Sequence, residues 1–206
     1  MNKSLLILGV FLASAFATEF FTYTYYSEFL CKGTSHAYGF QPVGECVYQS
    51  KNTCKDNGIL YTSYSDSDCT KSVSTYTFTK EDCSIFNYKI TDCGKSFDES
   101  LNQVEGGVWL VSYENDDCTG NIVSGFGIAE NVCWRMGDTA YYTLTIDGDT
   151  VTQHNCTDSV CKNCTLGESQ TFGSCVDNGI KLYHSDAMTL SVSMLVLFLA
   201  AILLLH

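Results

Sequence analysis

The chain has 206 residues with 45% apolar composition, enough for a hydrophobic core, and its 23 acidic against 11 basic residues give a net charge of −12. That balance argues against nucleic acid and against electrostatic docking on anionic lipid, since both need a basic face. Twelve cysteines with a single proline point away from the reducing cytosol and toward a secreted, disulfide-stapled protein.

Residues 1–17 read as a secretory signal peptide. Lys3 makes a basic start, Leu5 to Phe16 is apolar, and Ala15 and Ala17 place small residues before the cleavage point. A membrane-spanning helix is the competing reading, but the run is short and no stop-transfer pattern follows it. Residues 18–95 then form a first cysteine-rich β half. Glu19 to Tyr26 is aromatic and Thr-rich, the composition of a strand. Asn57-Gly58 is a tight-turn signal, and almost the same words return from Cys175 to Ile180. Ser72 to Thr79 alternates as a half-buried strand, and Ser84 to Ile90 alternates likewise. Residues 96–107 turn polar, end in Gly106-Gly107 and read as a linker.

The second cysteine-rich β half spans 108–185, with strands expected at Val108–Tyr113, Ile122–Ile128 and Tyr141–Ile146 and a hairpin turn at Asp147-Gly148-Asp149. No stretch of the mature chain shows an apolar stripe at helical spacing. Residues 186–206 carry a polar spacer and an apolar run to the end, the pattern of a GPI-anchor signal, with Ser185 the preferred lipid-attachment site and Asp186 next. As a transmembrane helix, Leu190 to Leu205 would rise only about 24 Å, short of the roughly 30 Å hydrocarbon core.

One phrase recurs: an aromatic residue, a run of acidic and small polar residues, then a cysteine. It reads Tyr113-Glu114-Asn115-Asp116-Asp117-Cys118-Thr119-Gly120 and Tyr64-Ser65-Asp66-Ser67-Asp68-Cys69-Thr70, more loosely Tyr25 to Cys31, and faintly His154-Asn155-Cys156-Thr157. The phrase cysteines 31, 69, 118 and 156 stand at steps of 38, 49 and 38 residues. This spacing predicts four internal repeats in two tandem, self-contained, β-sandwich-like halves with three disulfides each. Cys31, Cys46, Cys54, Cys69, Cys83 and Cys93 belong to the first half, and Cys118, Cys133, Cys156, Cys161, Cys164 and Cys175 to the second. Connectivity does not follow from sequence. The expected pairs are Cys31–Cys46, Cys69–Cys83, Cys118–Cys133 and Cys156–Cys175 within repeats, leaving Cys54–Cys93 and Cys161–Cys164.

Chemistry-bearing motifs are sparse. Cys161-Lys162-Asn163-Cys164 lacks the βαβ context of a redox motif and reads as a structural bridge. The set Cys156, Cys161, Cys164 and Cys175 has passable zinc spacing, but oxidation competes with it in a secretory compartment. Asp66/Asp68, Glu114/Asp116/Asp117 and Asp147/Asp149 are acidic turns without the EF-hand pattern, and solvated turns are the ordinary reading beside calcium. His36 and His154 sit in no nucleophile motif, and there is neither a phosphate loop nor a nucleophile elbow. No catalytic, metal or cofactor residue is therefore assigned. Asn155-Cys156-Thr157 and Asn163-Cys164-Thr165 are N-glycosylation sequons at Asn155 and Asn163.

The end signals, the cysteine-rich β composition and the phrases Tyr64–Thr70 and Tyr113–Gly120 resemble the ponticulin-like surface proteins. That resemblance implies a plasma-membrane glycoprotein, with membrane–actin linkage proposed for the family's namesake. A lipid-anchored extracellular chain has no direct route to cytosolic actin, so location is carried over and no functional residue is. The expectation is a non-catalytic, cell-surface, lipid-anchored all-β protein on the extracellular face of the membrane, acting in adhesion, ligand binding (a glycan among the candidates) or coat formation. A membrane–cytoskeleton linker and an extracellular hydrolase are the alternatives.

Overall fold

The computed structural model describes residues 18–84, 87–136 and 140–185; residues 1–17 and 186–206, expected as signal peptide and anchor signal, lie outside the described residues. The first seven strands are β1 (Glu19–Glu28), β2 (Lys32–Val43), β3 (Cys46–Val47), β4 (Ser50–Lys55), β5 (Gly58–Tyr64), β6 (Ser72–Thr79) and β7 (Tyr88–Lys95). A short helix α1 (Phe97–Leu101) follows. Then come β8 (Gly107–Tyr113), β9 (Ile122–Ala129), β10 (Trp134–Met136), β11 (Ala140–Asp147) and β12 (Thr150–Cys156), and last β13 (Cys164–Thr171), β14 (Cys175–Val176) and β15 (Ile180–His184).

These strands form one antiparallel seven-stranded sheet, β14-β15-β8-β9-β2-β1-β7, and two four-stranded sheets, β3-β4-β5-β6 and β10-β11-β12-β13. Strands β1 and β8 of the large sheet bury apolar residues on both faces because both faces are covered. Along β8, Val108 packs on Leu144, Val151 and Leu182 beneath the second small sheet, whereas Trp109 and Val111 point the other way, to Phe20, Phe40, Leu101 and Val104. Along β1, Phe20 joins Trp109, Leu101 and Val104 on the helix side, while Phe21 and Tyr23 pack on Ile59 and Ile90 beneath the first small sheet. The layers are therefore a helical segment, the large sheet, and the two small sheets beyond it.

The order of the large sheet reverses about its centre: β15-β8-β9 on one side mirrors β7-β1-β2 on the other. β2 and β9 join there, with Ala37 opposite Ile128, Gly39 opposite Phe126 and Phe40 opposite Gly125. The offset that carries Cys31 onto Cys118 also carries Cys46 onto Cys133 and Gly39 onto Phe126. The β2–β9 ladder corrects the expectation of two self-contained halves, since strands from both sides of residues 96–107 share one sheet.

Residues 96–107 are also more than a linker. Ser96 caps α1 with a reciprocal capping box, its hydroxyl accepting from the Glu99 N–H while the Glu99 carboxylate accepts from the Ser96 N–H. Leu101 is 0% exposed, Val104 is buried beside it, and the Trp109 indole donates to the Leu101 carbonyl at 2.6 Å. β6 forms over the expected residues but lies at a sheet edge, where Val73 and Tyr76 are exposed rather than half-buried. The turn expected at Asn57-Gly58 falls on Asp56-Asn57, between the paired residues Lys55 and Gly58. Its verbal echo at Cys175–Ile180 is instead a 3₁₀ turn between β14 and β15.

All twelve cysteines are paired. The pairs are Cys31–Cys83, Cys46–Cys69, Cys54–Cys93, Cys118–Cys175, Cys133–Cys161 and Cys156–Cys164. Cys54–Cys93 follows the expectation and the other five correct it, although no bridge crosses residues 96–107. Hairpin loops explain the difference. Cys69 and Cys118 lie in the loops that follow β5 and β8, and they bond to Cys46 and Cys175 at the start of β3 and β14, not to the next cysteine along the chain.

Candidate ligand-binding clefts

The recurring phrase builds its own loop three times over. In the β5–β6 loop the Cys69 N–H donates to the Asp66 carbonyl, and the Asp66 carboxylate accepts from the N–H groups of Thr70 and Lys71. In the β8–β9 loop the Cys118 N–H donates to the Asn115 carbonyl, and in the β12–β13 loop the Cys161 N–H donates to the Asp158 carbonyl. Each of these cysteines is left-handed, with φ of 52°, 58° and 52° respectively, as is Cys31 at 55°. The last copy of the phrase is thus Asp158-Ser159-Val160-Cys161, which corrects its expected place at His154–Thr157.

These hydrogen bonds occupy the acidic groups. The Thr70 hydroxyl, followed by the Lys71 amide, holds the Asp66 carboxyl below the usual carboxylate range. The Asn163 and Lys162 amides do the same for Asp158. Asp117 accepts from the Thr119 N–H and hydroxyl. Asp147 ends β11 and Asp149 closes the two-residue turn into β12. The Sγ atoms of Cys156, Cys161 and Cys164 lie within 4.8 Å of one another, but all three are held in disulfides and offer no thiolate to a metal. His154 shares a hydrogen bond of 2.9 Å with the Thr145 hydroxyl, and His36 lies in β2.

The feature that the sequence did not mark is the β3–β4 turn. Tyr48 and Gln49 form its two central residues, with φ of 46° and 59°. Both angles are positive, as in a type I′ hairpin turn, a place normally taken by Asn-Gly or Gly-Gly. For a bulky aromatic this backbone costs about 1–2 kcal/mol. Packing does not compel the choice, since Tyr48 is 85% exposed. The Tyr64 N–H donates to the Gln49 carbonyl, and Cys46–Cys69 ties the hairpin to the β5–β6 loop.

Beside this turn opens a cleft of about 560 Å³ lined by Glu45, Val47, Tyr48, Gln49 and Ser67 from one side and by Glu114, Asn121 and Val123 from the other. The far wall comes from the end of β8 and the start of β9, so it is the β2–β9 ladder that brings the walls together. Asn121 donates to the Glu114 carboxylate at 3.4 Å, and the Glu114 N–H donates to the Asn121 carbonyl at 2.9 Å. Among the described residues the ion pairs are Lys80–Asp92, Lys95–Asp92 and Lys95–Glu99, so neither Glu45 nor Glu114 is paired with a cation. The cleft thus presents one aromatic face, two carboxylates, two carboxamides and a hydroxyl.

A second cleft, of about 570 Å³, is lined by Thr34, Ser35, Val132, Cys133, Arg135, Tyr141 and Ser159. It sits beside Cys133–Cys161 as the first sits beside Cys46–Cys69. The offset that carries Cys46 onto Cys133 also carries Glu45 onto Val132 and Tyr48 onto Arg135, so the two clefts occupy equivalent places with different chemistry.

The expected modification sites are placed as follows. Asn155 is exposed in β12 and Asn163 is exposed in the loop before β13. Ser185 is 2% exposed at the end of the described chain, where its hydroxyl accepts from the Gly107 N–H at 2.8 Å. No protein-family model, curated protein or solved structure matches the chain.

Proposed function

We propose that this is a non-catalytic, lipid-anchored cell-surface protein that binds glycans in the Tyr48 cleft. The observation that carries the reading is Tyr48 itself. An exposed aromatic ring is held in a costly backbone conformation at the mouth of a cleft rich in hydrogen-bonding groups, and strain of this kind collects at functional sites. A sugar ring has an apolar face that stacks on tyrosine and hydroxyls that donate to Glu45 and Glu114 or pair with Gln49, Asn121 and Ser67.

The anchor reading fits this placement. Attachment at Ser185 puts the β15 end beside Gly107 on the membrane side, with the glycan core of the anchor between protein and bilayer. Glu114 follows the opposite end of β8, whose seven residues rise roughly 20 Å. The Tyr48 cleft then lies at the strand ends distal to the membrane, and its counterpart at Arg135 lies nearer the anchored end. The mirrored strand order and the two equivalent pairs of bridges, Cys31–Cys83 with Cys118–Cys175 and Cys46–Cys69 with Cys133–Cys161, support an internal duplication in which one copy of the cleft has kept a ligand-binding surface.

Two measurements test the reading. Phosphatidylinositol-specific phospholipase C is expected to release the intact protein from cells, and retention after effective treatment contradicts the lipid anchor. Soluble residues 18–185 are expected to bind a subset of a glycan array, and a blank array contradicts the ligand class.

A further inference from the structure

Both sequons converge on one disulfide. Cys156 and Cys164 are the middle residues of the two sequons, and they stand directly opposite each other in the β12–β13 ladder with Cα atoms 4.0 Å apart. The flanking residues interlock as well. Asn155 pairs with Thr165, whose hydroxyl donates to the Asn155 carbonyl at 3.3 Å. The Thr157 N–H and hydroxyl both donate to the Asn163 carbonyl, at 3.0 and 3.3 Å. Each sequon's threonine is therefore committed to the other sequon's asparagine.

We propose that the Cys156–Cys164 bridge gates N-glycosylation, so that Asn155 and Asn163 accept a glycan only while the bridge is open. The inference rests on the secretory reading of the N-terminus. Glycan transfer makes a bond from the Asn Nδ2 to the anomeric carbon of a lipid-diphosphate-linked oligosaccharide; the carbon–oxygen bond to the diphosphate breaks, and the amide loses a proton. The asparagine amide must reach the threonine hydroxyl two residues on, which requires a turn at the sequon. In a strand the side chains of residues i and i+2 stand in line on one face instead. Asn155 is held extended between two neighbours, opposite Tyr142 on β11 and Thr165 on β13. Exposure of its side chain does not make it an acceptor.

Closing the bridge transfers two electrons and two protons from the thiols to a disulfide oxidant of the secretory pathway. With a sequence separation of 8 between the cysteines, the loop to be closed is short, and its entropic cost is low. Bridge formation and glycan transfer are therefore competing fates of one hairpin. The bridge acts on both sequons together, although they lie in separate stretches of chain.

The test expresses the full chain in eukaryotic cells and reads each site by peptide mass spectrometry after enzymatic glycan removal. Cys156→Ser alters the Asn155 sequon and leaves the Asn163 sequence intact, while Cys164→Ser does the reverse. The gate predicts that either variant gains glycan at both asparagines. A gain confined to the altered sequon overturns it, because the effect would then belong to the middle residue alone. The pair Cys46→Ser with Cys69→Ser removes a comparable bridge in the other small sheet. An equal gain at Asn155 and Asn163 in that variant also overturns the gate, since general misfolding would explain it. Gly148→Asn completes a sequon with Asp149 and Thr150 in an exposed turn and serves as the acceptor control. A glycan there is expected, whereas no glycan on any variant overturns the secretory reading and the gate with it.

Discussion

Gly39 lies directly opposite Phe126 at the centre of the seven-stranded sheet, the point about which the strand order reverses. On its other side Gly39 pairs with Tyr23, and a Cβ at position 39 would sit inside the Tyr23 ring. The backbone at Gly39 is ordinary, so the glycine answers to space alone. Gly39→Ala is expected to lower stability by about 1–3 kcal/mol through overpacking, read as an earlier midpoint in urea unfolding. An unchanged midpoint would contradict the central ladder.

Residues 96–107 are expected to behave as core. Leu101→Ala removes a fully buried side chain beside Phe20, Phe40 and Trp109 and should cost about 2–5 kcal/mol. A dispensable linker would tolerate it with no measurable shift in the melting temperature.

The bridges should differ in worth. Cys31–Cys83 closes a separation of 52 residues and Cys156–Cys164 one of eight. In the chain-entropy model their loss costs about 4 and about 2.5 kcal/mol. Paired serine variants compared by thermal unfolding are expected to rank in that order, and the reverse ranking would contradict the assigned connectivity.

Much of the architecture is legible in the sequence. Aromatic and Thr-rich runs mark β1, β6 and β11, an apolar run marks β8, and the six-and-six division of cysteines holds. Connectivity is not legible, because antiparallel ladders bring Cys118 to Cys175 across 57 positions while leaving Cys118 and Cys133 apart. Helix α1 has no apolar stripe long enough to notice, yet Ser96-Phe97-Asp98-Glu99 carries the Ser-x-x-Glu capping signal. The run Val108-Trp109-Leu110-Val111 was the local sign that β8 is covered on both faces. The cleft was beyond sequence reading, since its walls lie at Tyr48 and Glu114, and Tyr48-Gln49 lacks the residues that announce a type I′ turn.

Alkaline pH should destabilise the fold through its buried tyrosines. Burial, with the neighbouring Tyr25, pushes the Tyr23 hydroxyl well above its ordinary value near 10. Burial and the Tyr113 hydroxyl raise Tyr183 in the same direction. Above about pH 10 the unfolded chain releases these protons first. The folded state then binds more protons than the unfolded state, so stability falls as pH rises. Tyr23→Phe is expected to flatten that slope in denaturation series between pH 9 and 12 (a window set by the ordinary tyrosine range of about 10). An unchanged slope would place Tyr23 outside the titrating set.

The glycan reading is tested most directly at Tyr48, by binding of residues 18–185 to arrayed glycans with Tyr48→Ala and Tyr48→Asn alongside the parent. Asn tolerates the left-handed backbone, so Tyr48→Asn should raise stability by about 1 kcal/mol while it abolishes binding. That combination, lost binding on a fold at least as stable, is the predicted result. Glycan binding that survives both substitutions would contradict the assignment of the Tyr48 cleft as the ligand site.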